Sequence, residues 1–264
     1  SVSKKDSSAE TPLNHQPLSW SPHISDAVGW TTLETIAQAP NFNRWMASLL
    51  CPFLKSGSTL EIGAGIGNIS QHILASVPSL TVSDMRSEYL EILRHRFHGD
   101  VHFAGSHKLD IQHEGDVANI LVHQSPFDNV FALNVVEHIE NDQQALQNCH
   151  RLLTTGGRLI ILVPAFPLLF NTFDQHLGHF RRYTRQSLCH LIQSAGFRVI
   201  HSQYFNLLGI LGWMVSGTLL RRKQIPTGQM KGFDRVVPFL RKIDPLFHRL
   251  GGLSVCCVGE KLPS

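Results

Sequence analysis

The run Ser58-Thr-Leu-Glu-Ile-Gly-Ala-Gly-Ile-Gly-Asn68 constrains this chain more than any other. A short segment of strand character enters glycines at 63, 65 and 67, and a helix-forming stretch begins at Asn68. Glycine accepts backbone conformations that other residues avoid, and it lets a ligand come close to the main chain. A strand that turns through such a loop into a helix opens a doubly wound α/β sheet. The rest of the sequence continues the alternation. Strands are predicted at 80–84, 101–103, 127–134, 157–164, 197–204 and 253–258, and helices at 36–54 (broken by Pro40), 68–75, 88–97, 142–153 and 184–195. The apolar run at 157–164 suits the buried middle of a parallel sheet. The pattern predicts an α/β fold with helices on both faces. Residues 206–250 are too many for a hairpin turn and are expected to fold as a helical lid or cap within one domain spanning 31–264. The polar residues 1–30 are expected to be a mobile tail without the apolar core of a signal peptide.

Charge is unevenly placed along the 264 residues. Residues 1–177 hold 10 Lys/Arg and 17 Asp/Glu, a balance of −7, and residues 178–264 hold 13 and 3, a balance of +10. A basic C-terminal third implies an anionic partner, either an acidic group on a substrate or a lipid surface. No nucleic-acid motif accompanies it, so no nucleic-acid partner is expected. The five cysteines have no metal-type spacing, which favours a reducing, cytoplasmic setting, and Cys256 and Cys257 read as core residues of a strand. The apolar stretch 205–220 is shorter than the roughly 20 residues that span a bilayer.

The glycine loop needs its context to say what it holds. Asp84 ends the next strand, 17 residues after Gly67, where a carboxylate can accept hydrogen bonds from ribose hydroxyls. The dinucleotide pattern GxGxxG is not met, because Asn68 stands where the third glycine is wanted, and the Gly-Lys-Ser/Thr of a P-loop is absent. S-adenosyl-L-methionine (SAM) carries no phosphate and has a positive sulfonium, which an acid before the loop, Glu61, suits.

LEIGAGIGN, the acid of VSDM, the Asp110-Ile111 pair, NVVEHIEN and the Leu-Leu-x-x-Gly-Gly turn before the fifth strand, in that order, resemble class I SAM-dependent methyltransferases. The resemblance covers about residues 40–204. It implies a Rossmann-like seven-stranded sheet with an antiparallel last strand, and SAM as cofactor. It also implies that Gly63, Ala64, Gly65, Gly67 and Asn68 line the methionine part, with Glu61 orienting the loop. Asp84 takes the ribose, Met85 meets the adenine, and Asp110 and Ile111 hold its edge and face. Asn134, Val135 and His138 then stand near the methionine end. NFNRWM, FDQHLGHFRRYT and the Gly-Trp pair at 212–213 are similar to a bacterial subgroup associated with glycan and small-metabolite pathways. Ubiquinone-pathway O-methyltransferases hold a divalent metal in a stretch like VVEHI that has an additional upstream Glu. Here Asn134 occupies that place, which leaves Glu137 and His138 as only two candidate ligands, and no metal is expected.

Methyl transfer needs little beyond positioning, but a hydroxyl acceptor is helped by a base. Asp174-Gln-His-Leu-Gly-His-Phe-Arg-Arg-Tyr183 follows the fifth strand and so falls at the strand ends where doubly wound folds bind ligands. It offers His176 or His179 as base, Tyr183 as a hydrogen-bonding group and Arg181 or Arg182 as a clamp on an acidic group; a structural loop is the alternative. The insertion offers Phe205, Asn206, Trp213 and Met214 as an apolar lining over the acceptor. It also reads as a plain packed cap, or as an attachment to anionic lipid through 205–250. The function expected is methyl transfer to a small molecule, favouring oxygen, with an acceptor bearing an acidic group or an apolar portion. A membrane-peripheral protein acting on lipid-linked substrate or serving as an interaction module, and a methyltransferase for peptide termini, stand as alternatives.

Overall fold

The computed structural model describes residues 25–263. Of the tail expected over 1–30, residues 1–24 lie outside the described residues, and the remainder is structured. Helix α1 spans Ala27–Ala37, started by Asp26, whose side chain accepts from the Gly29 N–H. Trp30 and Leu33 of α1 pack against buried Ile66, Tyr89 and Ile92. This apolar contact holds the segment that its polar neighbours disguise in the sequence.

The remaining elements are α2 (Pro40–Ser48), β1 (Ser58–Ile62), α3 (Ser70–Ile73), β2 (Ser79–Asp84), α4 (Ser87–Arg96), β3 (Phe103–Lys108), α5 (Glu114–His123), β4 (Phe127–Leu133), α6 (Asp142–Leu152), β5 (Leu153–Pro164), α7 (Thr172–Leu177), α8 (Arg185–Ser194), β6 (Phe197–Phe205), α9 (Gly209–Trp213), α10 (Thr227–Ile243) and β7 (Ser254–Lys261). The third strand begins where the sequence expects it to end. Helices α5 and α7 fall in stretches without a clear helical period.

The sheet runs β3-β2-β1-β4-β5-β7-β6, parallel except for β7, which is antiparallel to both β5 and β6. This is the Rossmann-like seven-stranded arrangement expected from the sequence. Strand order reverses between β1 and β4, and the crevice beyond their carboxyl ends is where such sheets bind ligands. One face of the sheet buries Leu60, Val130, Leu159 and Ile161 under Ile120, Leu146, Leu188 and Ile192 of the helices. The other buries Leu80, Val82, Phe131 and Ile160 under Trp45, Leu93, Val237 and Leu240. Cys256 and Cys257 are both core residues of β7.

The insertion 206–250 is therefore partly core, since Val237 and Leu240 of α10 pack on the sheet. Its two acids are buried anchors. Asp234 accepts from Phe42 N (2.8 Å) and from Asn41 Nδ2 (3.1 Å), so a remote helix satisfies one free N-terminal N–H of α2. Asp244 accepts from Asn206 N (3.0 Å) and Leu207 N (2.9 Å). Among the described residues no helix is long and apolar enough to cross a membrane.

Candidate functional site

The loop after β1 takes left-handed backbone at all three glycines, with φ of 70° at Gly63, 55° at Gly65 and 82° at Gly67. Space demands glycine as well. A Cβ at Gly63 would lie 2.5 Å from Val135 Cγ2, and one at Gly65 would lie 3.0 Å from the Leu33 methyls of α1. Ala64 N donates to Ser83 O, and Asn68 Nδ2 donates to Leu33 O, which ties the loop to β2 and α1.

Asp84 at the tip of β2 is buried. Its Oδ2 accepts from Gly65 N (2.9 Å) and its Oδ1 from Arg86 N (3.0 Å). Burial raises its pKa, opposed by these two N–H groups. Behind the loop, Glu61 Oε2 accepts from Ser70 Oγ, and burial lifts Glu61 to about 7, partly offset by that hydrogen bond. Met85 is exposed at the edge of the crevice. Asp110 Oδ1 accepts from Gln112 N. Ile111 is buried in the sheet-face core, and its carbonyl accepts from Asn148 Nδ2. Asn134 takes φ of 55° at the end of β4, with its N–H donated to Leu162 O.

A second cluster forms where the segment after β5 crosses the turn after β4. Phe180 N donates to Glu137 O (2.8 Å), fastening the two together. Asp174, fully buried, accepts from His179 Nδ1 (2.8 Å) and Arg182 Nε (2.8 Å) through Oδ1, and from Asn171 N (2.9 Å) through Oδ2. Burial pushes Asp174 up, but the hydrogen bonds from His179 and Arg182 and the guanidinium charge outweigh it and hold the carboxyl below its ordinary range. The His179 side chain is only 5% exposed, and its Nε2 lies 4.0 Å from Glu137 Oε1. The His138 ring meets the His179 ring edge to face, 4.6 Å between centroids. Desolvation, then the neighbouring His179, lowers His138 to about 4.

Glu137 is the least conventional group here. It is wholly buried, and among the described residues neither carboxyl oxygen has a hydrogen-bond partner. Desolvation raises its pKa to about 8 despite the nearby Arg182. Donor atoms of Glu137, His138 and His179 lie within 4.8 Å of one another, a spacing one divalent cation can bridge.

Several side chains read from the sequence as acceptor groups are occupied otherwise. Arg182 is buried, bound to Asp174 and to Ala165 O (3.0 Å), with its guanidinium 4.5 Å above the Trp213 ring. Arg181 Nη1 donates to Asp142 Oδ2 (2.9 Å) and its Nη2 to Glu140 O. Arg182 is therefore not free to clamp an acidic group, and Arg181 is held at the start of α6 by two of its donors. The Tyr183 hydroxyl donates to Asp142 Oδ2 (2.8 Å), and burial and that carboxylate raise its pKa, so it is a structural tie to α6. Phe205 is a core residue, 4.4 Å from the Trp45 ring, because it closes β6 on the α2 face of the sheet. Asn206 is buried at φ 64°, its Oδ1 accepting from Gly209 N at the start of α9. Met214 points outward. Trp213 does reach the cluster, through Arg182 and through Phe173 at 4.9 Å. His176 stands in the last turn of α7. The sequence offers Glu137 only as one of two candidate metal ligands and Asp174 only as part of a structural loop. An acid five positions before a histidine in the segment after β5 was the available sign of the second.

Residues 31–202 match a family model described as "Methyltransferase domain". The lovastatin diketide synthase lovF of Aspergillus terreus is 30% identical over 143 residues, 52% of this chain, and the match spans only 5% of that synthase. The ubiquinone biosynthesis O-methyltransferase of Coxiella burnetii (strain RSA 331 / Henzerling II) is 21% identical over 161 residues, 56% of this chain and 66% of that enzyme. Phosphoethanolamine N-methyltransferase 2 of Haemonchus contortus, solved in complex with S-adenosyl-L-methionine, superposes with a TM-score of 0.58 at 16% identity, covering 90% of this chain and 59% of that one. The likeness to the solved structure shows the fold.

Proposed function

From the premise that this chain belongs to the methyltransferase domain family and is a class I SAM-dependent methyltransferase, we propose that it methylates a hydroxyl of a small molecule with His179 as the base. The residues around the glycine loop fit the cofactor. Each Asp84 oxygen accepts a single backbone N–H and keeps capacity for a vicinal diol. The left-handed glycines at 63, 65 and 67 leave the main chain open to close approach. Gly63, Ala64, Gly65, Gly67 and Asn68 are the residues that would hold the methionine part, with Asp84, Met85 and Asp110 at the adenosine and Asn134, Val135 and His138 beyond. When bound, SAM supplies a methyl group made electrophilic by its sulfonium.

One observation carries the base assignment: the 2.8 Å hydrogen bond from His179 Nδ1 to a fully buried Asp174. A proton held on Nδ1 leaves Nε2 as the basic nitrogen, and Asp174 stabilises the imidazolium that forms when Nε2 takes a proton. Arg182 and Asn171 hold Asp174 in place from its other sides. Exposed Phe180 beside His179, and exposed Leu168 in the segment after β5, favour an acceptor with an apolar portion.

Production of S-adenosylhomocysteine, with a mass gain of one methyl group in a panel of phenols and hydroxylated metabolites, identifies the acceptor. On that acceptor His179→Gln lowers kcat by about 10²-fold or more, the usual span of general-base catalysis, and leaves the SAM Kd unchanged. Normal turnover by His179→Gln would falsify the assignment.

A second reading is favoured by the two unpartnered oxygens of Glu137: Glu137, His138 and His179 hold a divalent cation. The absence of a carboxylate at position 134 argued against a metal in the sequence, but His179 offers a third donor from another segment. Asp174 on the far nitrogen of His179 is the outer partner that metal-bound histidines commonly have. Calorimetric titration with Mn²⁺ and Zn²⁺ decides it, since stoichiometric heat lost in Glu137→Gln supports the site and no heat rejects it.

A further inference from the structure

We propose that the cap, residues 205–250, docks this enzyme onto an anionic lipid bilayer. The inference is independent of the base assigned to the reaction.

The cap combines two surface properties that seldom coincide. Among the described residues, seventeen large hydrophobic side chains are exposed, and ten of them belong to this segment. Leu211 (63%), Leu219 (75%), Phe239 (66%), Leu246 (76%) and Leu250 (75%) are the most open. A scattered exposed leucine needs no explanation, but a concentration of this kind marks a binding surface. Leu211, Val215 and Leu219 recur at intervals of four along the helical run that α9 begins and Met214–Leu219 continues, so one side of that run is apolar and faces out. Val236 and Phe239 do the same on α10, whose opposite side is committed to the core through Met230, Val237 and Leu240. The two stretches touch, since Ser216 Oγ donates to Gln229 Oε1 and Gln229 Nε2 to Gly212 O. Between the start of the insertion and the end of α10 lies a cavity of about 170 Å³ lined by Leu207, Leu208, Leu240, Ile243 and Phe247 among others.

The charges select the partner. The segment carries eight cations, Arg221, Arg222, Lys223, Lys231, Arg235, Arg241, Lys242 and Arg249, against two acids. All eight cations are exposed. Both acids, Asp234 and Asp244, are turned inward and used on backbone donors. Among the described residues none of the eight lies within 4.0 Å of a carboxylate. The surface of the cap is thus uniformly positive, with large apolar side chains between the charges. An anionic bilayer answers both features at once, with phosphates for the cations and acyl chains for the leucines and phenylalanine. A nucleic acid answers only the first.

The test is co-sedimentation of the intact protein with vesicles of phosphatidylcholine alone and of phosphatidylcholine mixed with phosphatidylglycerol. Binding is expected only to the mixed vesicles and should weaken as salt is raised, as exposed charges are screened. Arg235→Glu with Lys242→Glu should lower the partition coefficient by about 25-fold or more, at about five-fold for each surface cation removed. Leu211→Ser with Phe239→Ser should lower it in the same vesicles while leaving the circular dichroism spectrum and the SAM Kd unchanged, which separates loss of docking from loss of fold or cofactor. Equal sedimentation with both vesicles, or none with either, overturns the proposal. Full binding by the Leu211→Ser, Phe239→Ser protein overturns it too, because a surface that recognises charge alone, as a nucleic-acid or acidic-protein site would, does not need those side chains.

Discussion

Replacing Glu137 by glutamine should make this protein more stable at alkaline pH. Among the described residues Glu137 has no exposed surface and no hydrogen-bond partner for either oxygen. Burial raises its pKa from 4.5 to about 8. Below pH about 4.5 the folded and unfolded chains both carry the proton. Between about 4.5 and 8 the folded chain keeps it and the unfolded chain releases it, so unfolding liberates a proton and stability falls as pH rises. Above about 8 both are ionised and the full penalty of a buried, unpaired carboxylate is present. At about 1.4 kcal/mol per unit, the displacement amounts to roughly 5 kcal/mol, of which about two thirds falls between pH 5.5 and 8. Glu61, lifted to about 7, adds a slope of the same sign to both proteins and cancels in the comparison. Glutamine has nearly the same shape and no proton to lose, so Glu137→Gln removes only the Glu137 part. Urea unfolding at pH 5.5 and pH 9 measures this, since a difference of that size moves the relative midpoint by about 1 M or more for a chain of this length. Curves that stay parallel across that range would refute the account, because they would mean that Glu137 enters the fold ionised and paired.

Asp174→Asn leaves the Arg182 guanidinium buried without its partner, and breaking such a pair costs about 3–5 kcal/mol. At about 2–4 °C per kcal/mol the Tm drops by about 10 °C, and a melting curve within 2 °C or so of wild type contradicts it. The carboxyl of Asp174 sits below its ordinary range, so its contribution is present at neutral pH and disappears as acid protonates the folded group; acid titration of the melting temperature should lose that step in the variant. Asp84→Ala removes the acceptor of Gly65 N–H and the group proposed for the ribose, and should weaken S-adenosylhomocysteine binding by more than about 1 kcal/mol in calorimetry, whereas an unchanged Kd would place the cofactor elsewhere.

Strand–loop–helix order was legible because it rests on local signals: an apolar strand, closely spaced glycines suited to a left-handed turn, and an acid at the next strand end. What escaped was decided by tertiary contact. Strand β3 reads FAGSHK, with little apolar character, and it exists because β2 offers it a parallel edge. Helix α5 buries only Val117 and Ile120, too few positions to print a period on ten residues. The polar run 174–183 was correctly placed at the strand ends, but the sequence does not say which way a guanidinium faces. Arg181 and Tyr183 are claimed by Asp142, about forty positions earlier, and Arg182 by Asp174. Phe205 stands beside Asn206 in sequence, yet the strand it ends turns its ring to Trp45 and away from the histidines.

The 3-10 turn Val136–His138 with the residue before it links the two halves of the site. Val135 occupies the space that a side chain at position 63 would need, so the cofactor loop can approach β4 only as glycine. Two residues on, the Glu137 carbonyl holds Phe180 N, and the Glu137 carboxyl lies beside His179. The position of this turn is set by the sheet itself, through Asn134 N to Leu162 O at 2.8 Å and the β4–β5 register. A shift of the turn therefore moves the wall of the cofactor loop and the surroundings of His179 together, whereas a change at Asp174 disturbs His179 and leaves Val135 against Gly63. Cofactor affinity and turnover should accordingly fall together for substitutions at 135–137 and separately for those at 174, as expected of a site whose two partners are aligned by one short turn on a buried strand.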